Sequence, residues 1–275
     1  MAEGALGTGF TRSRMALRRG VISLTVCVIF WEIVSRMHGW TGFRPPGIGN
    51  LPAPTAVLHS WLAVLGDAGY WQSWLLSLGR VCGGFVAALA LGVPLGLFLA
   101  INRIFNGIVF PVFEVIRPIP PLAWVPAAII FWPTQELAII FITFLGAFFT
   151  ITINVLAGAR AIDARFVRAA VALGASKARV FRSVVLPATI PSIVVGSTVG
   201  IGITWEVVVA AEMISGASKL SATSGGLGHF IWSSYLGGAY EQIVVGMVSI
   251  GIAGYLCSAG VRRLGSLATP WQRQR

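Results

Sequence analysis

The sequence predicts an all-α membrane protein with six transmembrane helices, and three observations carry that reading. Hydrophobic residues make up 56% of the 275 residues and charged residues 11%, with a mean hydropathy of +0.83, so a water-soluble fold would lack the polar surface to cover itself. Apolar runs of the ~20 residues needed to cross ~30 Å of hydrocarbon recur at about 20–37, 81–101, 107–132, 137–158, 188–212 and 242–261. The cations, finally, are one-sided. With the N-terminus inside, the inner segments hold Arg12, Arg14, Arg18 and Arg19, then Arg103, then Arg160, Arg165, Arg168, Lys177, Arg179 and Arg182, then Arg262, Arg263, Arg273 and Arg275. The outer segments hold only Arg36, Arg44 and Lys219, an asymmetry that orients both termini and the loop before the fifth span toward the cytoplasm. The net charge of +11 is therefore a topology signal, and nucleic acid is not expected as a partner.

Taken in order, residues 1–19 form a cytoplasmic tail. The first span follows its arginines in a signal-like layout, but no small-x-small cleavage site appears before Glu32 and Arg36, so it reads as an uncleaved anchor. Residues 20–265 form a six-helix domain with its core at 80–265, and 266–275 form a second cytoplasmic tail. In the outer loop 39–79, Val57, Leu58, Trp61, Leu62 and Leu65 repeat at helical spacing behind Pro54, which predicts a short helix lying on the membrane surface. Trp40, Trp61, Trp71, Trp74, Trp132 and Trp232 fall at or near the outer boundary, as an aromatic belt requires. Gly92 with Gly96, and Gly196 with Gly200, stand at the four-residue interval that lets helices approach closely, within one bundle or at a dimer face. Cys27, Cys82 and Cys257 lie in apolar runs and read as small hydrophobes.

The loop at 160–187 carries more than a topology signal needs. Val167, Ala170, Val171 and Gly174 recur at one helical face, flanked by Arg165 and Arg168. Gly174 supplies a C-cap, Ser176 an N-cap for a second helix bearing Lys177, Arg179 and Arg182, and Pro187 and Pro191 mark the start of the fifth span. A basic loop that only touches anionic lipid is one reading of these residues, and a docking element for another protein is the other.

The run Arg168-Ala169-Ala170, Gly174-Ala175-Ser176, Val184 and Leu186-Pro187 resembles the EAA signature of ABC-importer permeases. LPAPTAV at 51–57, RPIPPLAWVP at 117–126, VAAEM at 209–213 and GGLG at 225–228 resemble the taurine, aliphatic sulfonate and nitrate branch of that family, and most of all its taurine permeases. The resemblance implies a type I ABC-importer permease fold with a cytoplasmic coupling-helix hairpin, in the bacterial cytoplasmic (inner) membrane. It implies ATPase coupling through Arg168, Ala169, Ala170, Gly174, Ala175, Ser176, Leu186 and Pro187. It further implies a homodimer, two ATP-binding cassette subunits that carry ATP and Mg, and a periplasmic or lipid-anchored substrate-binding protein. Two features depart from the family: its glutamate at the head of the signature is Arg168 here, and SGASKLSATS before Gly225 is longer. The chain's lysines, Lys177 followed by Ala178 and Lys219 followed by Leu220, fit no phosphate-binding G-x-x-x-x-G-K-[ST] loop, so no cofactor is assigned to this chain.

Ionisable groups at membrane depth are costly, by roughly 2.5–3.5 kcal/mol each, and so point to a path or to pairing. Arg117 falls ~15 Å along the third span from Gly107, and Pro118, Pro120 and Pro121 must break that span beside it. A guanidinium there suits a sulfonate, nitrate or carboxylate, though Glu114 one turn earlier offers a simple partner. Arg117, Pro118, Pro120, Trp124, Trp205 and Glu206 are thus the candidate path residues. Glu206 reads as a gate or, in preference, as a partner of Arg80 or Arg117, and Glu212 as a structural contact to the outer loop. His38, His59 and His229 show no metal-ligand spacing, and no catalytic or metal site is assigned. The sequence thus points to a transport subunit for a small organic or inorganic anion. The rivals are an ATP-independent carrier, whose inverted repeats are not visible, a membrane enzyme, and a permease of the same family for an uncharged, aromatic or pyrimidine solute.

Overall fold

A computed structural model of the protein describes residues 4–41, 51–216 and 225–271. Arg44, Lys219, Arg273 and Arg275 lie outside them, as does most of the long SGASKLSATS stretch. Among the described residues there is helix and no strand. In chain order the helices are α1 (Gly4–Thr41), α2 (Pro54–Val64), α3 (Ala68–Ile101), α4 (Arg103–Ile116), a 3₁₀ turn (Pro121–Trp124), α5 (Val125–Phe131) and α6 (Gln135–Arg160). After these come α7 (Ala164–Ala172), α8 (Lys177–Val180), a π turn (Phe181–Val185), α9 (Leu186–Gly216), α10 (Leu227–Leu236) and α11 (Tyr240–Ala268). Among the described residues five stretches are unbroken and apolar enough to cross a membrane, at Arg18–Met37, Ala68–Ile101, Gln135–Arg160, Lys177–Ile214 and Tyr240–Ala268. The sixth is the expected broken span, Arg103–Ile116 and Pro121–Phe131, bent by 87°. Pro118, Pro120 and Pro121 cause the break because none can donate a backbone hydrogen bond.

The chain divides into two compact units, residues 1–67 with 234–245, and residues 68–233 with 246–275. In the first, α2 starts behind Ala53, which has no side chain to cap it. Glu32 of α1 supplies the acceptor instead, taking the Thr55 backbone N–H at 3.1 Å and the Thr55 hydroxyl at 2.9 Å, while Arg36 donates to that hydroxyl at 2.8 Å. Val57 and Val64 are the buried face of α2, and Leu58 and Leu62 of the expected apolar face stay exposed.

In the second unit α6 is the central helix, packed against α3 on one flank and α9 on the other. The glycine pairs make this close. A Cβ at Gly96 would run into the Thr152 carbonyl and Val155, and one at Gly196 into Asn154. Both pairs therefore serve packing inside the bundle. Ile142, Ile151, Val155, Ile201 and Val208 fill the seams.

Candidate functional site

Three arrangements in the second unit concern the predicted residues. The first is the turn between α7 and α8. Asp163 caps α7 by accepting from the Arg165 backbone N–H at 2.8 Å, and the Arg165 side chain donates to the same carboxylate at 2.7 Å. These two bonds, the side-chain one first, hold the Asp163 carboxyl below the usual carboxylate range. At the other end, the Gly174 N–H reaches the Val171 carbonyl at 2.9 Å and the Ala175 N–H reaches the Ala170 carbonyl at 3.0 Å. With Gly174 at φ 78°, this is a Schellman ending, which a residue with a Cβ adopts at a cost. Ser176 follows as the N-cap of α8, accepting from the Arg179 N–H.

Both caps fall where the sequence placed them, but the second arm is not a separate helix. The α8 segment runs through the π turn into α9 as one stretch to Ile214. Pro187 explains the π turn, since it cannot donate to the helix and the Leu186 N–H bonds back to the Phe181 carbonyl. Pro191 lies inside α9 rather than at its start. Arg168, Ala169 and Ser176 are exposed, Ala170, Ala175, Leu186 and Pro187 half-buried, and Phe166 and Leu173 stand 66% and 88% exposed.

At the opposite end of α6 and α9 lies an ion cluster built on buried Arg80 and Glu212, with Glu136 two-fifths exposed at its edge. Arg80 of α3 is 3% exposed and forks onto Glu136 at the start of α6, with Nε at 2.8 Å from Oε2 and Nη2 on Oε1. Its Nη1 donates to Glu212 of α9 at 2.8 Å and to the Gly225 carbonyl. Glu212, fully buried, also accepts from the Ser77 hydroxyl at 2.8 Å and the Gly228 N–H at 2.9 Å, and the Ser77 hydroxyl accepts from the Leu227 N–H. Every charge in the cluster has a partner, the condition under which a buried pair is tolerated. The GGLG turn needs its glycines here: Gly226 has φ 123°, and a Cβ on it would collide with the Glu212 carboxylate.

The third arrangement is a cavity of about 290 Å³ beside the broken span, lined by Arg117, Pro121, Thr150 and Ile203 with Leu145 and Phe149. Arg117 caps α4 and pairs with Glu114 at 3.6 Å, both about two-fifths exposed. Pro118 and Pro120 are exposed in the break, and Trp124 is half-buried at the end of the 3₁₀ turn. Trp205 is 3% exposed and packs beside Gly254. Glu206, one turn beyond Ile203, is exposed.

The model of the family described as "binding-protein-dependent transport system inner membrane component" matches residues 92–274. The chain belongs to that family. Among its curated relatives, the taurine transport system permease protein TauC of Escherichia coli is 34% identical over 80% of each chain. The nitrate import permease protein NrtB of Synechocystis sp. is 30% identical over 93% of this chain and 90% of the relative. The bicarbonate transport system permease protein CmpB of Synechococcus elongatus is 33% identical over 79% of this chain and 80% of the relative. Among solved structures, the MetNI methionine ABC transporter in an inward-facing form matches with TM-score 0.61 at 21% identity, over 74% of this chain and 99% of that one. A bacterial ABC transporter that imports alginate matches with TM-score 0.57 at 14% identity, over 92% of this chain and 98% of that one. These two establish the fold as that of ABC-importer permeases, all-helical as the sequence predicted.

Within this permease, the expected contact of Glu212 to the outer loop is present, as its bond to Gly228 shows. The preferred pairing of Glu206 is not: Arg80 is taken by Glu136 and Glu212, and Arg117 by Glu114. Sequence reasoning missed Glu136 and Ser77. A buried arginine demands an acid, and Glu136 stands at the start of the fourth span, at the same side of the membrane as Arg80, which is the signal that was available.

Proposed function

We propose that this permease forms the path of an ATP-driven importer for a small anion. Two copies make the channel, and two separate ATPase subunits, holding ATP and Mg, dock on the turn from Asp163 to Ser176. A periplasmic or lipid-anchored receptor delivers the cargo from the other face. Both termini and the 160–187 loop lie in the cytoplasm of a bacterial inner membrane, as the one-sided cations require. The observation that carries the docking is that α7 holds Phe166 and Leu173 out into solvent beside exposed Arg165 and Arg168, with its own ends fully capped. A capped helix with an uncovered apolar face is built to seat on another surface. Nitrate, taurine and bicarbonate are what the relatives are named for, and Arg117 in its cavity is the group that would hold such an oxyanion as it passes, with Pro118, Pro120, Trp124, Trp205 and Glu206 around the path. Closure of the ATPases would move the docked turns as rigid bodies and switch access.

The test is uptake by vesicles holding the permease with and without its ATPase. ATP-dependent uptake, lost together with ATPase co-purification when residues 165–182 are deleted, is the expected result. Uphill uptake without any ATPase would replace this reading by the carrier. Arg117→Gln with unchanged rate and preference would remove Arg117 from the path.

A further inference from the structure

We infer that the Thr150 hydroxyl is a second oxyanion donor of the path, acting with Arg117 in the cavity beside the broken span. This rests on the reading of the chain as the path-forming subunit of an importer. Apart from Arg117 and Thr150, every described residue that lines the cavity of about 290 Å³ is apolar, Leu145, Phe149 and Ile203 among them. The two polar groups come from different elements, the guanidinium from the end of α4 and the hydroxyl from α6, the central helix. Neither has an acceptor. Arg117 is ion-paired with Glu114 at 3.6 Å, longer than a hydrogen bond, so among the described residues nothing accepts from its guanidinium N–H groups. The Thr150 side chain is equally unmatched: its backbone carbonyl takes the Asn154 amide at 2.8 Å, and its hydroxyl bonds to no described residue.

Other helix hydroxyls in this bundle settle locally. Thr143 on α6 and Thr189, Thr198 and Thr204 on α9 each donate to the carbonyl four residues back, at 2.8 or 2.9 Å. Thr152 also makes no bond through its hydroxyl, but it is fully buried against Gly92 of α3. Thr150 is half-buried and opens into a space. A hydroxyl at membrane depth that leaves its own helix carbonyls alone needs an acceptor from elsewhere. Water meets that need while the path is empty, and an oxyanion replaces the water with a charge-assisted bond. Two donors facing one apolar-walled space, with no acceptor side chain lining it, fit a ligand group that only accepts. An oxyanion held by both bridges α6 to the end of α4.

The test uses the full chain in vesicles with ATPase and receptor, read with whichever of nitrate, taurine and bicarbonate the parent takes up fastest. Thr150→Val keeps the shape and removes the donor. It is expected to lower uptake about tenfold, and Thr150→Ser to restore most of it. Thermal unfolding of Thr150→Val in detergent should match or exceed the parent's temperature, since no bond inside the chain is lost. Because both donors hold one anion, adding Thr150→Val to Arg117→Gln should lower uptake much less than tenfold further. Thr150→Val uptake equal to the parent's, Thr150→Ser as slow as Thr150→Val, or losses that multiply fully in the double variant overturn the inference. A second arm needs no cargo. With Cys27→Ser, Cys82→Ser and Cys257→Ser as background, Thr150→Cys is expected to react with a water-soluble methanethiosulfonate, and a thiol that reacts only with a membrane-permeant maleimide overturns the inference too. A parent that moves none of the three anions and does not co-purify with an ATPase sinks the importer reading, whereas an active parent with an indifferent Thr150→Val leaves that reading standing and removes Thr150 alone.

Discussion

The two ends of α6 and α9 handle charge in opposite ways. At one end Arg80, Glu136 and Glu212 are drawn together from three helices and consume one another's hydrogen bonds, with Ser77 and the GGLG turn sealing the remainder. At the other, α7 caps itself with Asp163 and Gly174 and leaves Arg168, Phe166 and Leu173 exposed. The first pattern belongs to a part that must stay put, because removing Arg80 leaves two carboxylates, one of them fully buried, without their shared cation. The second leaves a cationic and apolar face that nothing among the described residues covers.

Arg80→Ala would break this contrast most severely. It strands two carboxylates, and a loss of about 3–5 kcal/mol is expected, read as a collapse of thermal stability in detergent. Glu212→Gln keeps the shape and is expected to cost less. The paired substitutions Gly226→Ala and Gly174→Ala sharpen the comparison, since both positions have positive φ. Gly226→Ala adds a collision with Glu212 to the strain and is expected to cost about 3 kcal/mol, whereas Gly174→Ala meets open space and should cost about 1 kcal/mol. Leu173→Asp should change stability by less than about 0.5 kcal/mol, because the side chain is 88% exposed, yet abolish ATPase stimulation in the assembled transporter. The smallest effect concerns pH. The Asp163 carboxyl is depressed in the folded chain, so its contribution to α7 is present above the ordinary carboxylate range and is lost as pH falls through the depressed value. Hydrogen exchange of the α7 amides against pH would show it, and Asp163→Asn, which keeps a cap without the titration, should flatten the profile.

Much of this was legible in the residues. The spans were, because hydrocarbon accepts only long apolar runs; the break at Pro118, Pro120 and Pro121 was, because proline removes donors wherever it falls; and the caps at Gly174 and Ser176 were, because capping is local. The second span was expected from 81, and α3 begins at Ala68, since GYWQSWLLSLG mixes polar and aromatic residues as an interfacial segment does. What the sequence concealed was pairing. Glu136 lies 56 positions from Arg80 and Glu212 lies 132 away, and only the packing of α3 and α9 on α6 brings them within hydrogen-bond reach. Glu206 was given a partner for the same reason: an acid in a span demands an explanation, and a one-dimensional reading offers arginines that the fold has already spent.

The unbroken stretch from Lys177 to Ile214 has a mechanical consequence. Its 38 residues make a lever ~57 Å long, with the turn between α7 and α8 at one tip and, two residues from the other, Glu212. A tilt of about 10° pivoting on either tip sweeps its opposite tip through about 10 Å. With the Glu212 tip anchored by Arg80, Ser77 and Gly228, such a tilt would swing the Ser176 tip and leave the far end in place.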